Sequence, residues 1–234
     1  MAHFDGVGPD AFLLLAQNRF EDSKAFYESH KAELKRLVTG PMGQLVECLA
    51  PFLAALDPQM LLVPSRIVSR LRRDTRYTRD KRMYRSNVWV CFTRPRLEFP
   101  HLWPVLWFEC KPEESRWDAG VGLWTDALPA YMRFLRKRIQ AGSAEFLAAT
   151  EQALAAGAQL RTDPYKKDRA PEAPEALKAY LNAKSFHLIY TSGDMALLQS
   201  EALIERLKAL YAAFAPMYRW YRAAADAYLA SAEQ

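Results

Sequence analysis

The chain has 234 residues, half of them hydrophobic and a quarter charged, a globular composition that excludes a disordered or collagen-like chain. The formal net charge is +5, but nine cations and only two acids lie between Arg66 and Arg85, so this segment carries +7 and the remainder −2; that balance argues against a uniformly basic, polyanion-coating surface. Three cysteines (Cys48, Cys91 and Cys110), none in a CxxC spacing, argue against a disulfide framework and against a paired-cysteine zinc site.

The first element reads as a helix that Pro9 and Asp10 open, carrying Phe12, Leu13 and Leu15. Ser23 suits the N-cap of a second helix with Phe26, Tyr27, His30, Leu34, Leu37 and Val38 on one face. "TGPMG" reads as a break after it. A third helix follows with Met42, Leu45, Val46, Leu49, Phe52, Leu53 and Leu56, and Pro51 is expected to kink it or end it early.

Beyond residue 60 the period changes. "SRIVSRLRR" reads as a strand with Arg66, Arg70 and Arg72 on one face and Ile67, Ser69 and Leu71 on the other. Tyr84, Ser86, Val88, Val90 and Phe92 alternate with Arg85, Asn87, Trp89, Cys91 and Thr93 as a second strand. "PVLWFECKP" and "SRWDAGVGLW" read as two more, joined around "KPEES". Four strands with short connections predict an antiparallel meander.

From about residue 126 helices return. Tyr131, Phe134, Leu135 and Arg138 fit one, ending near Gly142, and Ser143 is expected to cap the next. "RTDPYKKDRAPEAP" reads as a polar connection, followed by a short helix near 174–183 and a strand "FHLIYT". A last helix carries Leu197 to Phe214, and Pro216 is expected to separate a final helical segment. Strands clustered between helical runs, without βαβ alternation, predict one α+β domain over residues 1–234: a central antiparallel sheet, a meander of about four strands, flanked by N-terminal and C-terminal helices.

The cysteines read as reduced, mostly buried thiols, and the chain as cytoplasmic. His3, His30, His101 and His187 show no metal-ligand spacing, so no metal and no cofactor are expected. The N-terminal stretch has an apolar run of only five or six residues with acids nearby, unlike a signal peptide, and no run approaches a membrane span; no membrane partner is expected. P-loop, HExxH, GxSxG and GxGxxG patterns are absent from the sequence.

The feature that stands out is "RRDTRYTRDKRMYRSN", residues 72–87, with seven cations and two acids between Arg72 and Arg85. Arginine offers a planar fork for phosphate or carboxylate, and lysine adds a point charge. A surface built only to hold polyanions would omit Asp74 and Asp80, since each repels phosphate. An acid is expected there if it orients an arginine, or serves as a base or metal ligand. Four readings stay open: a small phosphate- or carboxylate-bearing ligand held by Arg73, Arg76, Tyr77, Lys81, Tyr84 and Arg85; an enzyme at the same place with Asp74 or Asp80 as acid/base; a nucleic-acid surface with Tyr77 and Tyr84 stacking on bases; and a loop simply braced by ion pairs. Nucleic acid is the least expected partner, because the rest of the chain is net acidic. Trp89, Trp103, Trp107, Trp117 and Trp124 read as packing residues or as stacking platforms, Gly120 and Gly122 as close strand packing or a ligand approach, Glu109 as a carboxylate facing the side of the basic segment, and "LRKRI" as a solvated helix face.

"RIVSRLRRDTRYTRDKRMYRSN" also resembles the signature of the family known as domain of unknown function 2461, through Arg73, Asp74, Arg76, Tyr77, Thr78, Arg79, Asp80, Lys81, Tyr84 and Arg85. "FLLLAQNR", "AFYESHKAEL", "GVGLW" and "LRKRI" are similar to that family as well, and Met83 stands where its members commonly have proline. The resemblance implies an α+β protein with a central antiparallel sheet, and it implies no particular reaction.

Overall fold

The computed structural model describes residues 3–95, 102–123 and 129–232. Helix α1 (Pro9–Glu21) begins with proline in its first turn, and α2 (Lys24–Leu34) is capped by Ser23, whose Oγ accepts from the Phe26 N–H at 3.1 Å. The expected break at "TGPMG" does not occur. A π-helical turn, Lys35–Thr39, leads without interruption into α3 (Gly40–Leu56). The wider turn bonds the Gly40 N–H to the Lys35 carbonyl, five residues back, which lets Pro41 enter a helix that a regular α-turn would deny it. The turn also brings that carbonyl so close that a Cβ on Gly40 would lie 2.7 Å from it.

The fused helix Lys24–Leu56 is by length and composition long and apolar enough to cross a membrane, contrary to the expectation from the sequence. Its fully buried residues include Val38, Met42, Leu45, Val46, Leu49 and Leu53, which belong to the protein core. Pro51 does not end α3 either. The carbonyl it frees belongs to Glu47, which is exposed, so water can satisfy it.

The segment expected as a first strand is instead a single turn, α4 (Pro64–Ile67), followed by extended chain that makes only isolated antiparallel bridges, Val68 with Val90 and Arg72 with Tyr84. The sums of the paired numbers differ by two, so the register slips between the bridges and no regular ladder forms. The regular strands that follow are β1 (Val88–Phe92), β2 (Val105–Lys111) and β3 (Arg116–Gly122), the last two joined by a 3-10 turn at Pro112–Glu114. Next come α5 (Pro129–Ala141) and α6 (Ser143–Ala155). Gly142, not Ser143, holds the N-cap position of α6, and Ser143 is the first helical residue.

Part of the expected polar connection is a strand, β4 (Gln159–Pro164); then follow α7 (Glu175–Leu181), β5 (Ala183–Ser192), a 3-10 turn at Leu197–Gln199 and α8 (Ala202–Ala232). β4 escaped the sequence pattern because five of its six residues are exposed and polar or proline-bounded, so no alternation marks it. Pro216 lies inside α8 without dividing it; the carbonyl it frees is that of exposed Ala212. The five strands form one antiparallel sheet in the order β1-β2-β3-β5-β4, with β4 and β5 paired from Gln159–Ile189 to Pro164–Ala183. The architecture is α+β, as the sequence predicts, with two strands added to the meander from the C-terminal half.

By its contacts the chain falls into two compact units. The first comprises residues 1–92, 107–119 and 191–208, and its core gathers Leu15, Val38, Leu45, Leu49, Val88, Val90, Phe108 and Trp117. The second comprises residues 93–106, 120–190 and 209–234, with an aromatic cluster in which Phe146 meets Tyr180, Phe186 and Trp220 edge-on at 4.8–6.0 Å. Such contacts add about 0.5–1.5 kcal/mol each beyond area burial.

Candidate functional site

The basic segment lies in the first unit, and the end of α1 holds it in place. Asp22, at the C-cap of α1 with a left-handed φ of 44°, accepts the backbone N–H groups of Met83 (2.6 Å) and Tyr84 (3.1 Å) on one carboxylate oxygen. Arg19, in the last turn of α1, donates to the Tyr84 carbonyl and to Asp80 Oδ2, both at 2.7 Å. Arg73 reaches the same Asp80 oxygen at 2.7 Å and also the Arg82 carbonyl at 3.3 Å. The other Asp80 oxygen accepts from the Arg82 N–H. These bonds to Arg19, to the Arg82 N–H and to Arg73 hold the Asp80 carboxyl well below the usual carboxylate range. Asp74 is chelated by Arg76, through Nε, Nη2 and the backbone N–H, and its pKa falls to about 2.

The remaining candidates divide by burial. Tyr77 is 90% exposed, with the Arg76 guanidinium 5.6 Å from its ring. Tyr84 points the other way: it is buried, stacked on Tyr27 at 4.9 Å, and burial raises its hydroxyl pKa. Lys81 donates to the Thr75 carbonyl at 2.9 Å and closes the loop.

Arg85 is different. It is half-buried, lies 4.3 Å over the ring of Trp89, and donates Nε to the Arg70 carbonyl at 3.2 Å. Its two terminal nitrogens have no hydrogen-bond or ion-pair partner among the described residues. Burial depresses its pKa, Arg73 depresses it further, and Glu109 partly offsets both. The bridge between Arg72 and Tyr84, with Arg73 N–H to Met83 carbonyl and Arg85 N–H to Leu71 carbonyl, puts Arg73 and Arg85 at diagonal positions on one face.

The charges continue onto the sheet. Glu109 accepts from Asn87 at 2.5 Å and pairs with Lys111 at 3.1 Å. Lys111 donates to Asp118 at 2.8 Å, and Asp118, whose side chain is fully buried, also accepts from Thr191 at 2.8 Å, with Arg116 Nε 3.6 Å away. Burial opposes the charge on Lys111, but its bonds to Asp118 and Glu109 outweigh that and raise its pKa. From Arg19 through Asp80 to Arg73, and from Glu109 through Lys111 and Asp118 to Arg116, opposite charges alternate. The alternation is weakest between Arg73 and Arg85, like charges on one face, where Glu109 acts on Arg85 without an ion pair among the described residues.

A family described as "Conserved hypothetical protein (DUF2461)" matches residues 10–220. The chain belongs to this family. No curated protein and no solved structure matches it. The DUF2461 match takes in α1 and the basic segment together, and the α1 residues Arg19 and Asp22 are the part of the site that the sequence reading missed. The sequence carried no clear signal, because Arg19 and Asp22 in "NRFED" stand at i,i+3 and read as an ordinary helical pair.

Of the other residues singled out, Trp117 is buried beside Phe108, its indole N–H on the Asp194 carbonyl, and is a packing residue. Trp124 and His101 lie outside the described residues. Gly122 is required by close strand packing, since a Cβ there would lie 2.6 Å from His187 Cβ. The run "LRKRI" is not simply a solvated face: Arg136 donates to the Ala183 carbonyl and to the Tyr165 hydroxyl, and Arg138 lies over Trp220, leaving Lys137 exposed. The three cysteines are thiols, Cys110 buried and the other two half-buried. Burial pushes Cys110 up to about 12, which makes it inert as a nucleophile at neutral pH.

Proposed function

We propose that the protein binds a small phosphate- or carboxylate-bearing ligand at the Arg73–Arg85 segment, with Arg85 as its anchoring group. One observation carries this reading: a half-buried guanidinium, fixed by Trp89 and the Arg70 carbonyl, presents unpartnered terminal nitrogens beside a second arginine. An anion between Arg73 and Arg85 restores the alternation of charge and gains charge-assisted bonds. The acid/base alternative gains nothing from Asp74 or Asp80, because carboxylates held so low by arginines are weak bases at neutral pH. The bracing role of the two acids is compatible with binding, since it fixes the loop that carries Arg85 and leaves Arg85 itself free.

The test is isothermal titration and thermal melting with inorganic phosphate and simple phosphate esters. A ligand at a hundred times its dissociation constant stabilises by about 2.7 kcal/mol, a rise of roughly 5–11 °C for a chain of this size. Arg85→Ala removes that rise while leaving the ligand-free melting temperature near that of the wild type. A wild type indifferent to every anion, or a response that survives Arg85→Ala, rejects the reading.

A further inference from the structure

The oxygen of Asp80 that receives Arg19 and Arg73 occupies a position built for an anion. Two guanidinium groups from separate elements, with side chains only 16% and 17% exposed, converge on it at 2.7 Å each. The Asp80 side chain itself is 45% exposed and sits in a loop without regular secondary structure. Each arginine has an anchor that does not involve Asp80: Arg19 bonds the Tyr84 carbonyl, and the backbone N–H of Arg73 bonds the Met83 carbonyl. The cradle therefore stays in place if Asp80 leaves. Arg73 belongs to this cradle and, at the diagonal position, to the gap beside Arg85. Two anion positions thus lie side by side, one filled by the chain's own carboxylate and one flanked by Arg73 and Arg85, where Glu109 acts on Arg85 without pairing with it.

The geometry points to a ligand that carries two adjacent anionic groups, of the diphosphate class, with one group between Arg73 and Arg85 and the second taking the place of Asp80 between Arg19 and Arg73. This rests on the binding reading above and adds the ligand class and a competitor within the chain. Asp80 mimics the second anionic group, covers the cradle when no ligand is present, and sets a threshold that single anions do not overcome. A monoanionic group fills only the Arg85 side and leaves Asp80 where it is. A diphosphate pays for the displacement with bidentate bonds to two arginines.

The experiment compares inorganic phosphate with pyrophosphate by titration calorimetry on the whole chain. The wild type is expected to bind pyrophosphate more tightly than phosphate. Asp80→Asn raises pyrophosphate affinity by roughly tenfold and phosphate affinity much less, a difference of about 1.4 kcal/mol. Arg19→Ala lowers pyrophosphate affinity more than phosphate affinity, since Arg19 lines the second position and reaches the first only through the Tyr84 carbonyl. Arg36→Ala, on exposed α2-proximal surface, serves as the control for net charge and changes neither. Hydrogen exchange on the wild type provides a readout that does not depend on any variant folding: pyrophosphate, but not phosphate, loosens the amide of Arg82, whose partner is Asp80. If phosphate and pyrophosphate both require Arg85 but bind equally, and neither Asp80→Asn nor Arg19→Ala separates them, the two-group inference falls and the anion site stands. If neither anion binds, or binding ignores Arg85, both fall.

Discussion

Two charge-rich regions of the first unit use the same chemistry under different conditions. In the basic segment, Asp74 and Arg76 pair with side chains 56% and 74% exposed, whereas on the sheet Asp118 pairs with Lys111 at 0% and 20%. Exposed pairs are screened by water and spend side-chain entropy, so they contribute little. A buried carboxylate relies on its partners, and removing one side leaves an uncompensated charge. Asp80 stands between: it is exposed itself, but the arginines that hold it are not. Charge density along the sequence is thus a poor guide to stability, and the sheet network with its few charges is expected to matter more than the loop with its many.

The comparison breaks most easily at its buried end. Asp118→Ala breaks the buried pair, leaving Lys111 with Glu109 and Arg116 with Glu114, and is expected to cost about 3–5 kcal/mol, a fall of roughly 6–20 °C in melting temperature. A loss no larger than that of an exposed acid removes the distinction. Thr191→Val, which deletes one hydroxyl bond to Asp118, is expected to cost about 1–3 kcal/mol by denaturant titration. Asp80→Ala is expected to lower the melting temperature by less than Asp118→Ala, because only its partners are shielded; an equal fall shows the loop to be as important to the fold as the sheet.

Asp74→Ala sharpens the exposed end. At neutral pH it is expected to melt only slightly below the wild type, because water screens the exposed pair. Its folded pKa, about 2, is depressed by Arg76 from an ordinary value of 3.8. A depressed carboxylate stabilises above its unfolded pKa, and the contribution is lost as pH falls through the folded one. The small gap between wild type and Asp74→Ala should therefore hold from neutral pH down to about pH 4 and close as pH falls toward 2. Curves that diverge with rising pH above neutrality contradict the assignment of the pair.

Much of the secondary structure was legible from local rules. Pro9, Ser23, the alternation through Val88–Phe92 and the apolar periods of α3 and α8 are short-range signals, and each holds in the structure. Three of the errors share one cause. Pro41, Pro51 and Pro216 each signal a broken helix locally, yet a π-turn or a solvent-facing carbonyl accommodates each one. "SRIVSRLRR" alternates like a strand, but a register slip limits it to two bridges.

For the candidate site, the sequence by itself determined where the positive charge is concentrated and that Asp74 and Asp80 sit within it. A run of arginines is a property of composition, readable without any fold. Which acid meets which arginine was decided by tertiary structure alone. Arg19 is 61 residues from Asp80, and Asp22 is 61 from Met83; no periodicity links such positions, because the end of α1 reaches the basic segment only once the core has packed. The same packing seats Arg85 on Trp89 and leaves its terminal nitrogens without a partner among the described residues, whereas neighbouring Arg73 and Arg76 find carboxylates. Alike in sequence, these arginines differ because hydrogen bonding and ion pairing act over about 3 Å in space, whatever their separation along the chain.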